Sequence, residues 1–415
     1  MSSSISSVFR FSLVAGTVLV LSGALSASDW LQWRGPNGNG TAAGDVRVPA
    51  GWGEEENVKW KALIPGRGHS SPVVSGDLVV LTTATEDAQF VFAYDRESGA
   101  IRWKERIHEG GLPEKLHKKN TAASSSVASD GERFFAVFHN RGRLMVTALD
   151  RSGARVWQTD AGGFECSYGF GYAPSPTIHD GKVILASDYE KGFLVALNVE
   201  DGSEVWRTAR EIPTTYSSPI VGQVAGKDQL LISGAEKISS YDPDTGKLAW
   251  EAEGTCPVTC GTVVWSEDLV FISGGFPIKK TTAMKADGSG EVVWENGDKS
   301  YEQSLLYHDG HVYTLNDNGI AICWNAGTGE EKWKVRLGGP VSASPILAGG
   351  LIYATNERGI THVFRPNPEE FEKVGEFQLG DEGFATPVFV GGEVFVRTAE
   401  QGRERTEYLY CISED

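Results

Sequence analysis

Tyr241-Asp242-Pro243-Asp244-Thr245-Gly246-Lys247-Leu248-Ala249-Trp250 is the stretch on which the fold turns. A strand ends at the aspartate, a tight turn uses glycine where φ must be positive, and a second strand ends in tryptophan. The same phrase lies on both sides of it. Upstream it reads Tyr94-Asp95-Arg96-Glu97-Ser98-Gly99 before Trp103, Leu149-Asp150-Arg151-Ser152-Gly153 before Trp157, and Leu197-Asn198-Val199-Glu200-Asp201-Gly202 before Trp206. Downstream, Lys285-Ala286-Asp287-Gly288 leads to Trp294 and Trp324-Asn325-Ala326-Gly327-Thr328-Gly329 leads to Trp333.

A second phrase precedes each of these. Ser70-Ser71-Pro72-Val73-Val74, a Gly76-Asp77 turn and Leu78-Val79-Val80-Leu81 have counterparts beginning at Pro174, Ser217, Ala343 and Ala385, with looser copies at Ser125, Gly261 and Ser304. Each unit is four short strands joined by three turns. Trp60, Trp103, Trp157, Trp206, Trp250, Trp294 and Trp333 stand 43, 54, 49, 44, 44 and 39 residues apart. A four-stranded repeat of roughly 40–50 residues is a propeller blade. Eight inner-strand phrases predict an all-β, eight-bladed β-propeller of antiparallel blades. The last unit ends with three strands, whereas the segment around Trp60 is an outer strand with no blade before it. The N-terminal strand is therefore expected to complete the last blade and remove two exposed edges. In the seventh unit Arg365-Pro366-Asn367-Pro368 replaces the aspartate–glycine turn, and Val374 stands where tryptophan is expected.

The Asp-x-x-Thr-Gly-x-x-x-Trp core at Asp242 to Trp250 resembles the repeat of pyrroloquinoline-quinone-type propellers, over nearly all of the chain from about residue 57. The segment Trp30-Leu31-Gln32-Trp33-Arg34-Gly35-Pro36-Asn37-Gly38-Asn39-Gly40 resembles the N-terminal tag of exported members. The resemblance implies that the repeat tryptophans pack between adjacent blades. It also implies one of two roles. Quinoprotein dehydrogenases hold pyrroloquinoline quinone and calcium in the central channel; the other branch consists of non-enzymatic scaffolds similar to BamB of the outer-membrane barrel-assembly machinery. Quinoprotein alcohol dehydrogenases carry adjacent cysteines over the quinone and longer insertions, neither of which occurs here. No Cys-x-x-Cys-His haem attachment sequence is present either. A BamB-like protein-binding scaffold without a cofactor is the expected role. The alternative is a dehydrogenase oxidising an alcohol or sugar with quinone and calcium.

Composition bounds the setting. Residues 1–28 run from a short tip with Arg10 through an apolar core to the small residues Ala24, Ser26 and Ala27, the order of a secretory signal. Residues 29–415 are then one propeller domain, exported to the periplasm or beyond, with no membrane span after signal cleavage and a monomeric state. Lys plus Arg number 38 against 55 for Asp plus Glu, a net −17 that argues against a nucleic-acid partner. An envelope protein is the expected partner. Cys166, Cys256, Cys260, Cys323 and Cys411 make an odd count, which cannot pair fully within one chain. Cys256 and Cys260 are the only close pair and are expected to form a disulfide if any forms.

Candidate sites are sparse. Asp242 to Gly246 alternates oxygen ligands, but Glu253 at the twelfth position lies beyond a strand rather than in a calcium loop. The residue two places before each inner-strand Ser or Thr is expected to line the channel mouth: His69, Ala123, Ala173, Tyr216, Thr259, Glu302, Ser342 and Phe384. With Arg67 nearby, Arg67, His69, Tyr216, Glu302 and Phe384 are the candidate ligand-binding set; no catalytic or metal residue is assigned. Two long loops stand out: 109–120 is expected to protrude from one face, and 162–172, rich in glycine and aromatics, suits either partner binding or packing over the channel. The first is locally basic and is read as a solvated protrusion.

Overall fold

The computed structural model describes residues 29–44, 47–49, 51–166 and 169–414. The expected signal segment, 1–28, lies outside the described residues. Every regular element described is a strand, and the strands form eight four-stranded antiparallel sheets. Blades 1 to 7 span 73–109, 128–163, 177–209, 220–253, 264–296, 306–336 and 346–378. Blade 8 is Val388–Val390, Glu393–Gln401 and Arg405–Ser413, completed by Val58–Ile64 as its outer strand. Trp60 lies opposite Cys411 and Ile64 opposite Glu407. The closure expected from the strand surplus at one end and deficit at the other is the one found.

The repeat phrase couples neighbouring blades. Trp60 Nε1 donates to Arg96 O at 2.9 Å, Trp103 to Arg151 O at 2.9 Å, Trp157 to Val199 O at 3.0 Å and Trp206 to Pro243 O at 3.0 Å. Trp294 donates to Ala326 O and Trp333 to Asn367 O, both at 2.8 Å. Each indole thus reaches the turn of the following blade, and in every case but Trp333, whose partner turn has no glycine, the turn glycine lies against its face. A Cβ on Gly246, whose φ is +67°, would stand 2.3 Å from Trp206 Cε3. Glycine is required there twice over, by the left-handed backbone and by the indole beneath it. At blade 5 a side chain spans the gap between indole and turn. Trp250 Nε1 donates to Gln229 Oε1 at 2.8 Å, while Gln229 Nε2 donates to Ala286 O at 3.1 Å.

Blade 7 lacks its tryptophan, and the chain supplies one from elsewhere. Trp52, only 3 % exposed, lies 5.0 Å from Phe377 and stacks on Tyr353 at 5.8 Å. Tyr353 in turn meets Phe389 of blade 8 at 4.6 Å. The register sets Gly375 at the tryptophan position and leaves Val374, expected there from the sequence, as the exposed bulge residue before it. Trp52, which shares one buried cluster with residues of blades 7, 8 and 1, fills the seam that the glycine leaves empty.

Candidate functional site

The inner strands converge on an axial channel, and the sequence closes it from one side. Trp30 exchanges backbone hydrogen bonds with Val74 of blade 1, and Leu31 O accepts from Ser129 N of blade 2. Gln32 Oε1 accepts from Thr177 Oγ1 and Ile178 N of blade 3, at 2.8 and 3.1 Å. A Cβ on Gly38 would stand 2.4 Å from Ile220 Cδ1 of blade 4. Trp33 Nε1 donates to Thr262 Oγ1 before blade 5, and Arg34 NH2 donates to Leu305 O before blade 6. Gly40 and Ala42 pair with Leu347 of blade 7. The tag is therefore a plug that crosses the axis and touches seven blades. Arg34 is fully buried in it, and burial pulls its pKa down to about 9.

Above the plug runs a belt of hydroxyls. The backbone N–H of Ser71 donates to Ser126 Oγ, that of Ser126 to Ser175 Oγ, and that of Ser175 to Ser218 Oγ, at 2.9 to 3.0 Å. Thr262 donates to Ser304, Ser304 to Ser344, Ser344 to Thr386, and Thr386 back to Ser71, at 2.9 to 3.1 Å. At the remaining junction Thr262 Oγ1 takes the Trp33 indole N–H instead, so plug and belt interlock. The eight Ser/Thr positions are those of the recurring Ser-Pro-like phrase. Their hydroxyls satisfy the amides of strand edges that would otherwise be left bare at the channel.

Between plug and mouth lies a cavity of about 300 Å³. Trp33 is its floor. Ser71, Ser126, Ser175, Ser218, Thr262 and Thr386 form its lower wall, and His117, Lys119, Asn120 and Phe170 its roof. The roof comes from the two long loops, which pack on each other: His117 meets Phe170 edge-on at 5.0 Å and Asn120 Nδ2 donates to Phe170 O at 2.6 Å. The first loop is therefore not a solvated protrusion. Its basic character has a specific target, because Lys119 Nζ lies 2.6 Å from Glu357 Oε1 and 3.4 Å from Glu302 Oε2, across the channel.

Four of the five candidate residues, His69, Tyr216, Glu302 and Phe384, line this cavity together with Ala173 and Ser342. Arg67 does not line it: its side chain is exposed and donates to Lys118 O of the roof loop at 3.2 Å. Ala123 and Thr259 also turn away. Ala123 O accepts from His69 N, and Thr259 Oγ1 accepts from Ser233 Oγ inside blade 4. Cys260 takes the position beside Thr259 on the cavity wall. The disulfide entertained for Cys256 and Cys260 is absent, and both are free. Cys256 Sγ donates to Val258 O within the buried turn, while Cys260 faces the channel.

Electrostatics set what these groups can do. His69 stacks on Phe384 at 4.3 Å, and its Nε2 is buried with no hydrogen-bond partner among the described residues. Burial, reinforced by Arg397, Arg67 and Arg405, holds its pKa well below the ordinary value, so the ring is neutral. Burial raises the pKa of Glu302, opposed by Lys119 and the Ser342 hydroxyl. For Lys119 burial works toward a lower pKa, but the two carboxylates outweigh it and raise the pKa. Burial also pushes the Cys260 thiol well above its usual range, which removes it as a nucleophile. No cluster of metal-ligating side chains occurs among the described residues. The Lys119 latch, Glu357, Trp33 and the hydroxyl belt were missed at the sequence level. Only the belt had a signal, the Ser or Thr recurring at one position of every unit.

A family model described as outer membrane protein assembly factor BamB matches residues 91–275 and 279–369, more than half the chain. BamB of Burkholderia pseudomallei is 23 % identical over 346 residues, covering 80 % of this chain and 73 % of its own. The crystal structure of BamB from Moraxella catarrhalis gives a TM-score of 0.60 at 16 % identity, covering 85 % of this chain and 99 % of the other. Quinohemoprotein alcohol dehydrogenase from Comamonas testosteroni gives 0.69 at 14 % identity, covering 94 % and 81 %. At such identities the structural likeness is one of fold.

Proposed function

The chain belongs to the pyrroloquinoline-quinone-repeat β-propeller family described as outer membrane protein assembly factor BamB, and on that premise we propose that it is a non-enzymatic, protein-binding scaffold of the cell envelope. The observation that carries this reading is the charge inventory of the channel. Pyrroloquinoline quinone is a planar tricarboxylate and needs cations around it. Lys119 is the only Lys or Arg among the described lining residues, and it is committed to Glu302 and Glu357. His69 is neutral and Cys260 is protonated. A calcium ion at the two carboxylates would have to compete with the Lys119 ammonium. The donor set does not suit the quinone, and no chemical step is derived through it.

The mouth face offers a feature suited to a protein partner instead. Phe276 and Ile278, 49 % and 50 % exposed, stand on the loop between Leu269–Gly274 and Lys280–Lys285. Exposed aromatic and aliphatic side chains on a rigid platform are what a partner buries. The family and the secretory order of residues 1–28 support an envelope location. Among the described residues no helix is long and apolar enough to cross a membrane.

The test pairs two measurements. A photo-crosslinking residue at position 278 should capture a protein of the outer-membrane assembly machinery in intact cells. Purified protein given quinone and calcium should not reduce an electron-acceptor dye with a panel of alcohols and sugars. Dye reduction that disappears in Glu302→Gln would overturn the scaffold in favour of the dehydrogenase.

A further inference from the structure

We infer that the channel cavity is a binding site for a compact organic ammonium ion carrying an aromatic group, and that Lys119 occupies its cation position as a tethered stand-in. The proposal goes beyond the scaffold role and does not depend on it.

The cation position is built on rigid elements. Glu302 and Ser342 precede the inner strands of blades 6 and 7, and Glu357 lies in the turn between Leu351–Thr355 and Ile360–Phe364. The Ser342 hydroxyl bridges both carboxylates, lying 2.7 Å from Glu357 Oε1 and in hydrogen-bond contact with Glu302 Oε2. The carboxylate side chains are only 12 % and 27 % exposed for Glu357 and Glu302. Two carboxylates sharing one hydroxyl in so little water need a cation or a shared proton between them, and Lys119 is the cation that stands there. That cation arrives from the opposite side of the channel, on the long loop between blades 1 and 2, whereas Glu302 and Ser342 stand on the short links into blades 6 and 7.

Beneath the ammonium lies space that Lys119 does not fill. The cavity of about 300 Å³ is walled by Trp33, Phe170, Tyr216, Phe276, Tyr301 and Phe384. Aromatic faces attract a cation and also bury the apolar body attached to it. A second, independent feature points the same way. His69 Nε2 is buried and lines this cavity without a well-formed hydrogen bond, and the ring leans on the Lys119 backbone that would move with the displaced loop. Exchange of one ammonium for another leaves the cavity's charge unchanged. The incoming ligand gains the aromatic contacts and has to displace only a loop side chain.

Phenethylammonium is the probe, with 2-phenylethanol as its neutral counterpart and calcium chloride as the competing cation. By titration calorimetry, Lys119→Ala should bind phenethylammonium at least tenfold more tightly than the unaltered protein. It should bind neither the alcohol nor calcium comparably, and adding Glu357→Gln should abolish the amine binding. Equal affinity for the alcohol, preference for calcium, or no gain in Lys119→Ala would each overturn the proposal. A readout that does not need the variant to fold is amide hydrogen exchange of residues 110–121 in the unaltered protein. Saturating phenethylammonium should speed exchange there as Lys119 is released, and the alcohol should not. Unchanged exchange at saturation would overturn it as well.

Discussion

Gly246 couples two blades through an atom it does not have. Its φ of +67° is accessible to alanine at a cost, but the space a Cβ needs is taken by Trp206, 2.3 Å away. Gly310 is the natural control: its φ is +73°, and nothing lies within 4 Å of a Cβ built there. Gly310→Ala should therefore cost only the left-handed backbone penalty, about 1–2 kcal/mol. Gly246→Ala must add overpacking of roughly 1–3 kcal/mol and tilt the indole off Pro243 O. Guanidinium denaturation of both variants checks this, and equal losses would mean that backbone conformation alone explains the glycine. The chemistry of this turn was legible in the sequence, since Asp242 Oδ1 accepts from Asp244 N and Thr245 N as an aspartate-led turn demands. The Trp250–Gln229–Ala286 relay was not. Gln229 opens the buried run of the strand Lys227–Gly234, where nothing in its local pattern announces a partner in another blade.

Among the elements, strands were legible and the segments outside them were not, for a physical reason. A strand declares itself by period and by the turns that bound it, so thirty-two strands followed from repeating phrases. The tag at residues 29–42 has no period, because its contacts alternate among backbone pairing, a glutamine side chain, an indole and a buried guanidinium. Its composition of glycine, asparagine and tryptophan is what a chain threading between seven blade edges needs, yet the same letters serve an exposed loop. The loop at 109–120 misled in the same way. Its lysines suggested solvation, and only the position of Glu302 and Glu357 across the channel reveals that one of them is engaged. These placements predict a graded response to truncation. A chain beginning at residue 45 keeps the strand Val58–Ile64 but loses Trp30, which is 2 % exposed, and Trp33. Losing Trp30 alone should cost about 3 kcal/mol or more, so the melt should move down while staying cooperative. A chain beginning at residue 65 also loses the outer strand of blade 8, and cooperativity itself should fail. Calorimetry that finds the two truncations equivalent would show that the plug, and not the strand, closes the ring.

For the whole molecule the question is what keeps a ring of eight blades from opening where its two ends meet. Strand pairing between Val58–Ile64 and Arg405–Ser413 is one lock. A second lies deeper. Arg397 and Glu407, each 2 % exposed, pair at 2.6 Å within blade 8. Arg397 NH1 also donates to Ser70 Oγ and Thr82 O of blade 1, both at 2.8 Å, and Glu407 Oε1 accepts from Gly68 N at 3.1 Å. The C-terminal strands are thus clamped directly to the first blade, independently of the N-terminal strand. Removing one member of such a pair is worse than removing both, because the survivor stays charged and desolvated, Glu407 with only the Arg405 cation beside it. Arg397→Met should therefore lose about 3–5 kcal/mol and unfold faster. The double variant Arg397→Met/Glu407→Leu should recover at least half of that loss, even though Gly68 N and Arg405 give up a partner. Denaturant midpoints and unfolding rates of the three proteins decide the matter. If the double variant loses as much as the two single changes added together, the pair is not acting as a unit, and the ring is held at its seam by strand pairing and the Trp60 indole alone.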